Sequence, residues 1–243
     1  MRKLGRLPAR HDKRTLHFGD YADDLGAPPD NSMRPQSLVL WRMFGNDQVG
    51  DCTCAGAGNR EIEVSAADDM PFEPQDSDII TAYKAVSGWN GVLNDPSDSG
   101  CNMMDVLNYW RNTGIAGRKI GAYASVRPTN IRHVKQAVAF LEGLYCGWSL
   151  PDAWLNAPAG AVWDAATPNP NNGHCMIVVG YDESGVSVVT WGALQKITWA
   201  GFACACDEAY AIASDDMIGG TGVTPAGFNI GQLILDLQAV THS

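Results

Sequence analysis

Apolar residues recur at two spacings along this chain, and the spacing changes near residue 114. Before that point they fall three and four apart. Met103, Val106, Leu107 and Trp110 line one side of a helix predicted over residues 102–112, which Gly114 stops. A second helix is predicted over residues 77–86, closed by Gly88. A third is predicted over residues 52–64, where Asp51 is the expected N-cap and Ala55, Gly56, Ala57 and Gly58 leave room for another layer at close range. After Gly114, Ile120, Ala122, Ala124 and Val126 alternate as in a strand. Thr129 is expected to cap a helix carrying Ile131, Val134, Val138 and Leu141 on one face. Residues 144–150, 174–181 and 186–190 predict strands, the last two joined by the turn Asp182-Glu183-Ser184-Gly185. A short helix after Thr198, a strand at 209–213 and a helix at 230–240 complete the pattern.

Helices come first and strands second, so the expected class is α+β. A helical lobe over about 37–117 should face an antiparallel β-rich lobe over about 118–243, with a cleft between them. Residues 1–36 carry Gly5, Pro8, Gly26, Pro28, Pro29 and Pro35 with little periodicity, which predicts an extended arm.

Charge sharpens that division. The chain has 243 residues and a formal charge of −10, yet residues 1–14 hold six bases (Arg2, Lys3, Arg6, Arg10, Lys13, Arg14) against Asp12 alone. The acidic remainder disfavours nucleic-acid binding by the body, and the arm is expected to be a solvated basic tail or a docking element. Its charges precede no apolar run, so no secretory signal is expected, and no segment reaches the length and apolarity of a membrane span. Seven cysteines, an odd number, leave at least one thiol free. The pairs Cys52/Cys54 and Cys204/Cys206 are spaced too tightly for an ordinary structural zinc site, so no metal or other cofactor is expected.

Two segments carry candidate chemistry. In residues 45–58 a turn-forming run delivers Cys52 to the start of a small-residue helix, where the helix dipole favours a thiolate. In residues 172–181, Asn172 and Gly173 precede His174 at the head of an apolar strand. A cysteine and a histidine projected from opposite lobes are what nucleophilic thiol catalysis needs.

The same residues resemble the papain-like cysteine peptidase superfamily, in its compact bacterial and bacteriophage branch. Gly50-Asp51-Cys52-Thr53 is similar to the nucleophile segment, Gly100-Cys101-Asn102 to the Gly-Cys-Asn segment, Gly173-His174 with Val179-Gly180-Tyr181 to the histidine strand, and Thr190-Trp191-Gly192 to the Ser-Trp-Gly that follows it. Leu4-Gly5-Arg6-Leu7-Pro8 and the segment from Pro225 to Asn229 look like those of phage-encoded members. The resemblance spans roughly residues 37–215. It implies a two-lobe fold, Cys52 as nucleophile, His174 as base, a peptide or protein substrate, and phage structural proteins as partners of the arm, in the host cytoplasm or the virion.

Two positions depart from the pattern. The oxyanion-hole glutamine is expected six residues before the nucleophile, where Asn46 stands; Gln48 is four before. The asparagine that orients the imidazole is replaced by Val189, leaving Thr190, Asn172 or a main-chain carbonyl as substitutes, with Trp191 shielding the ring. Cys101 lacks a cysteine at the partner position of the superfamily's cross-link. An acyl-transferring or amide-cleaving hydrolase is the leading expectation. The alternative is a catalytically weak or inactive structural or virion protein on the same fold.

Overall fold

A computed structural model describes residues 2–22, 25–33, 39–67, 71–214 and 230–241. Among them, seven strands form one sheet: β1 (Ser32–Met33), β2 (Ile120–Ser125), β3 (Leu144–Ser149), β4 (Gly173–Asp182), β5 (Gly185–Thr190), β6 (Ala193–Thr198) and β7 (Cys206–Ser214). Their order is β2-β7-β3-β4-β5-β6, all pairs antiparallel, with β1 pairing the far end of β4. The helices are α1 (Gly19–Ala22), α2 (Cys52–Ala67), α3 (Asp76–Ser87), α4 (Met103–Asn112), α5 (Ile131–Phe140), α6 (Asp152–Leu155), α7 (Trp199–Ala205) and α8 (Ile230–Thr241). Helix α2 packs on β4 and against α3 and α4, so it is the seam between the helical half and the sheet. The fold is α+β, as the two spacings imply.

Burial explains why α2 looks weakly amphipathic. From Cys52 to Ser65 every residue is buried, including Asn59, Arg60, Glu61 and Glu63. These polar groups persist because each finds a partner. Arg60 bonds Glu63 at 2.9 Å, the Glu142 carbonyl at 3.1 Å and the Leu141 carbonyl, while Glu61 accepts from the Trp110 indole at 2.9 Å. Helix α3 ends on Gly88, whose φ of 76° turns the chain out of the helix.

Local predictions fail where tertiary contacts decide. Asn130, not Thr129, caps α5, its side chain accepting from His133 N at 3.2 Å. Asp51 occupies the N-cap position of α2, its carbonyl accepting from Ala55 N at 2.9 Å, but its side chain is buried and caps nothing. Strand β6 has no alternation to read, because it lies at the sheet edge and only Ile197 is buried.

The largest difference concerns the basic arm. Residues 3–7 are not a solvated tail: they cross the junction of the two halves, and Arg6 is buried. Phe18 and Leu25 also enter the core, and Gln136 of α5 donates to the Leu25 and Gly26 carbonyls at 3.0 and 3.1 Å. The expected boundary at residue 36 lies outside the described residues. All seven cysteines are free thiols. Cys101 nevertheless has a thiol neighbour in Cys54.

Candidate active site

Cys52 is the first residue of α2 and His174 the second of β4. The packing of α2 on β4 brings them to one small cavity of about 10 Å³, roughly the space of one water. From α2, Cys52, Ala55, Gly56 and Asn59 line it, the residues one helical face presents. His174, Val189, Thr190 and Trp191 close the other side.

The imidazole is held on two sides. Its Nε2 lies 2.9 Å from Thr190 Oγ1, and its face stacks on Trp191 with ring centres 4.3 Å apart and planes 20° from parallel. Its Nδ1 has no hydrogen-bond partner among the described residues. Val189 is buried, and by strand alternation its side chain leaves β5 on the face opposite Thr190. The hydroxyl at 190 therefore stands where a partner for Nε2 is needed.

Asn46 also lines the cavity, in a turn closed by Gln48 N and Val49 N on the Gly45 carbonyl. Its side-chain amide donates to the Val49 carbonyl at 3.2 Å, which uses one of its two N–H groups. Gln48 is exposed and does not reach the cavity. Asn59 is a cavity residue the motifs did not single out: its side chain accepts from Arg42 N at 2.9 Å and donates to the Arg42 and Ala55 carbonyls at 2.9 and 3.0 Å. The legible signal was its position seven residues after Cys52, on the same helical face.

Residues 3–7 pass over the edge of this site, bonding main-chain groups of both halves beside it. Lys3 N donates to the Asn46 carbonyl at 3.0 Å, Gly5 N and Arg6 N to the Gly173 carbonyl at 3.2 and 3.1 Å, and Leu7 N to the Cys101 carbonyl at 2.9 Å; Cys101 N returns a bond to Gly5 O at 2.9 Å. Four glycines make the approach possible. A methyl on Gly5 would sit 1.8 Å from Gly50 O, on Gly100 2.0 Å from Gly5 O, on Gly173 2.1 Å from Arg6 O and on Gly50 3.1 Å from Leu4 O. Trp191 donates its indole N–H to the Lys3 carbonyl at 3.1 Å, and the Arg2 guanidinium lies 4.8 Å from the Trp191 ring centre. The order from outside inward is thus Arg2, Trp191, His174. On the far side of Trp191 a second cavity of about 150 Å³ opens between Arg2, Trp163, Leu194 and Gln195.

Burial keeps the groups of the site neutral. Burial first, then the charges of Arg6 and Arg2, push the His174 imidazole down to about 3. Burial, aided by Asp51 and opposed by the Cys175 main chain and Arg6, pushes the Cys52 thiol up to about 12. Burial also holds the Asp51 carboxyl well above the usual carboxylate range, opposed by the neighbouring Asn46 amide.

Among the described residues no group of three or more His, Cys, Asp or Glu is arranged to hold a metal ion, and no helix is long and apolar enough to cross a membrane. No protein-family model and no curated protein matches the chain. Solved structures do. Xylellain, a cysteine protease from Xylella fastidiosa, aligns over 88% of this chain and 97% of its own with 17% identity and a TM-score of 0.64. The Amb a 11 cysteine protease, a ragweed pollen allergen solved in its proform, aligns over 82% of this chain and 70% of its own with 14% identity and a TM-score of 0.61. The CMS1MS2 cysteine protease of Carica candamarcensis, solved with E-64, aligns over 76% and 98% with 11% identity and a TM-score of 0.55. With its helical half, its antiparallel sheet and the cavity at their junction, the chain has the papain-like fold.

Proposed function

We propose that the protein is a thiol hydrolase acting on peptide or amide bonds, with Cys52 as nucleophile and His174 as its base. The observation that carries this reading is the state of the imidazole. Nε2 is engaged by Thr190 Oγ1, while Nδ1 is unpartnered on a ring that lines one cavity with Cys52. If Thr190 accepts from Nε2–H, the tautomer is fixed and the Nδ1 lone pair is free to take the thiol proton. The thiolate attacks the substrate carbonyl carbon. The resulting oxyanion is stabilised by the Cys52 main-chain N–H and the Asn46 side-chain amide, which turns from its present partners toward it. His174 then protonates the leaving amine, and water releases the acyl group by the reverse sequence. Acyl transfer uses the same residues with an amine in place of water.

The structure describes the site in a covered form. A thiol near 12 beside an imidazole near 3 stays uncharged at neutral pH. Chemistry therefore requires residues 3–7 to leave and water or substrate to enter, which restores the ordinary range of both groups. The cysteine-protease neighbours support the reaction class, and the phage-like flanking segments support a phage-encoded protein working in the host cytoplasm or the virion. One observation favours the second reading, a fold retained for a structural role: Thr190 is a shorter and weaker orienting partner than the asparagine Val189 replaces.

Hydrolysis of a fluorogenic peptide library decides between them. Cys52→Ser should abolish turnover. Thr190→Val should lower kcat by about tenfold with KM little changed, since it removes one hydrogen bond and strands a buried ring N–H. Wild-type protein without turnover after residues 3–7 have been displaced supports the structural role.

A further inference from the structure

Arg6 is the one buried side chain of residues 3–7. Leu7 is 41% exposed and Leu4 only partly buried, whereas the Arg6 side chain is 3% exposed. Its guanidinium meets three acceptors: Nη1 bonds Glu208 Oε2 at 3.2 Å, and Nη2 bonds Asp207 Oδ2 at 2.8 Å and the Trp148 carbonyl at 3.2 Å. The pocket is built for this shape. Tyr210 OH donates to the other oxygen of Glu208 at 2.7 Å, and Ser149 Oγ donates to Asp207 at 2.6 Å, so both carboxylates are positioned. Gly147 forms its wall, where an added methyl would stand 2.8 Å from Arg6 Cδ and from Met103 Sδ. Acceptors spread over two nitrogens suit a planar fork better than a single ammonium.

Everything else that holds residues 5–7 is main chain. The Gly173 and Cys101 groups they use flank His174 and α4, and any extended peptide offers the same donors and acceptors. We propose that Glu208, with Asp207 and the Trp148 carbonyl, is a recognition site for the arginine side chain of a peptide laid along the cleft, and that residues 4–7 occupy it as such a peptide. The proposal rests on the hydrolase reading for its consequence, that substrates carry arginine at this position, but binding itself needs no turnover.

The test uses the full chain with Arg6→Ala, titrated by calorimetry with two probes, acetyl-Leu-Gly-Arg-Leu-amide and the same peptide with glutamine for arginine. The arginine peptide should bind roughly 10- to 100-fold more tightly, the worth of hydrogen bonds to charged partners. Adding Glu208→Gln should remove most of that preference. A folded Arg6→Ala protein that binds both peptides equally, or neither, makes Arg6 an internal staple and overturns the proposal. If Arg6→Ala does not fold, hydrogen exchange on Glu208→Gln takes its place. Gly5, Arg6 and Leu7 amides exchanging at least tenfold faster, with β3 and β4 still protected, support a separable occupant; unchanged exchange, or loss of protection throughout, overturns it. Binding without hydrolysis in any variant would leave the recognition site standing and remove the enzyme.

Discussion

Acid should find His174. The ring is 1% exposed and its folded pKa lies near 3, against 6.5 for the free side chain. The unfolded chain therefore binds a proton that the folded one refuses as pH falls through 6.5. Stability from this group is complete above that value and is lost progressively down to about pH 3. The difference corresponds to about 3 kcal/mol between pH 7 and pH 4, and on the order of 5 kcal/mol over the whole window. Asp51 acts in the opposite sense, because its raised folded pKa makes the folded state the better proton binder above about 4, and acidification there relieves a penalty. Absolute curves mix the two, so the informative quantity is the difference between wild type and His174→Gln, which keeps an amide nitrogen within reach of Thr190 but cannot ionise. Urea unfolding at pH 7, 6, 5 and 4 should give lines that diverge by about 3 kcal/mol, wild type losing more. A proton can also enter by local opening, since an imidazolium is repelled by Arg6 and Arg2 and drives out the segment that carries them. In that case the amides of Lys3, Gly5, Arg6 and Leu7 lose hydrogen-exchange protection below pH 6 in wild type and not in His174→Gln. Parallel unfolding curves together with unchanged exchange would refute the assignment of a buried neutral imidazole.

Gly5→Ala offers a way to uncover the site without touching it. Its methyl, 1.8 Å from Gly50 O, should displace residues 3–7, and iodoacetamide labelling of Cys52 at pH 7.5, followed by mass mapping, should accelerate at least tenfold. In wild type the first cysteine labelled should be Cys204, the one thiol of the seven that is not buried; Cys52 labelled first would contradict the covered geometry. Val189→Asn should not repair the imidazole partner, because the amide enters the opposite face of β5; thermal unfolding should show a loss of about 1–3 kcal/mol, and a gain in turnover with intact stability would show that the amide reaches Nε2.

The chain's spacing made most of the fold legible. Periodicity identified α2 to α5 and the strands β2 to β5 because each buries one face or runs wholly through the core. It missed β6, whose single buried residue leaves no pattern, α6, which is one turn long, and α1 and β1, which are four and two residues long and lie in the segment read as an arm. At the site, Cys52 and His174 were readable because a turn followed by a helix or strand has a local signature. Gln48, two residues from Asn46 in sequence, proved to face outward, since the direction of a side chain in a turn depends on which carbonyl closes it. The burial of Arg6 was not readable at all: its partners lie more than 140 positions away, and within residues 1–14 it looks like any other base in a basic run.

The four-glycine junction has a consequence for how such a segment can change over evolutionary time. Where two backbones touch through hydrogen bonds and missing side chains, sequence information is concentrated in very few letters. Here Gly5, in backbone contact with Gly50, and Arg6, the buried side chain, carry nearly all of it. Two letters are too few for a sequence comparison to detect, so relatives that keep the same strap can have it without any visible similarity. Conversely, on the recognition proposed above, a Gly-Arg dipeptide in an unrelated extended loop would hold most of what this cleft reads.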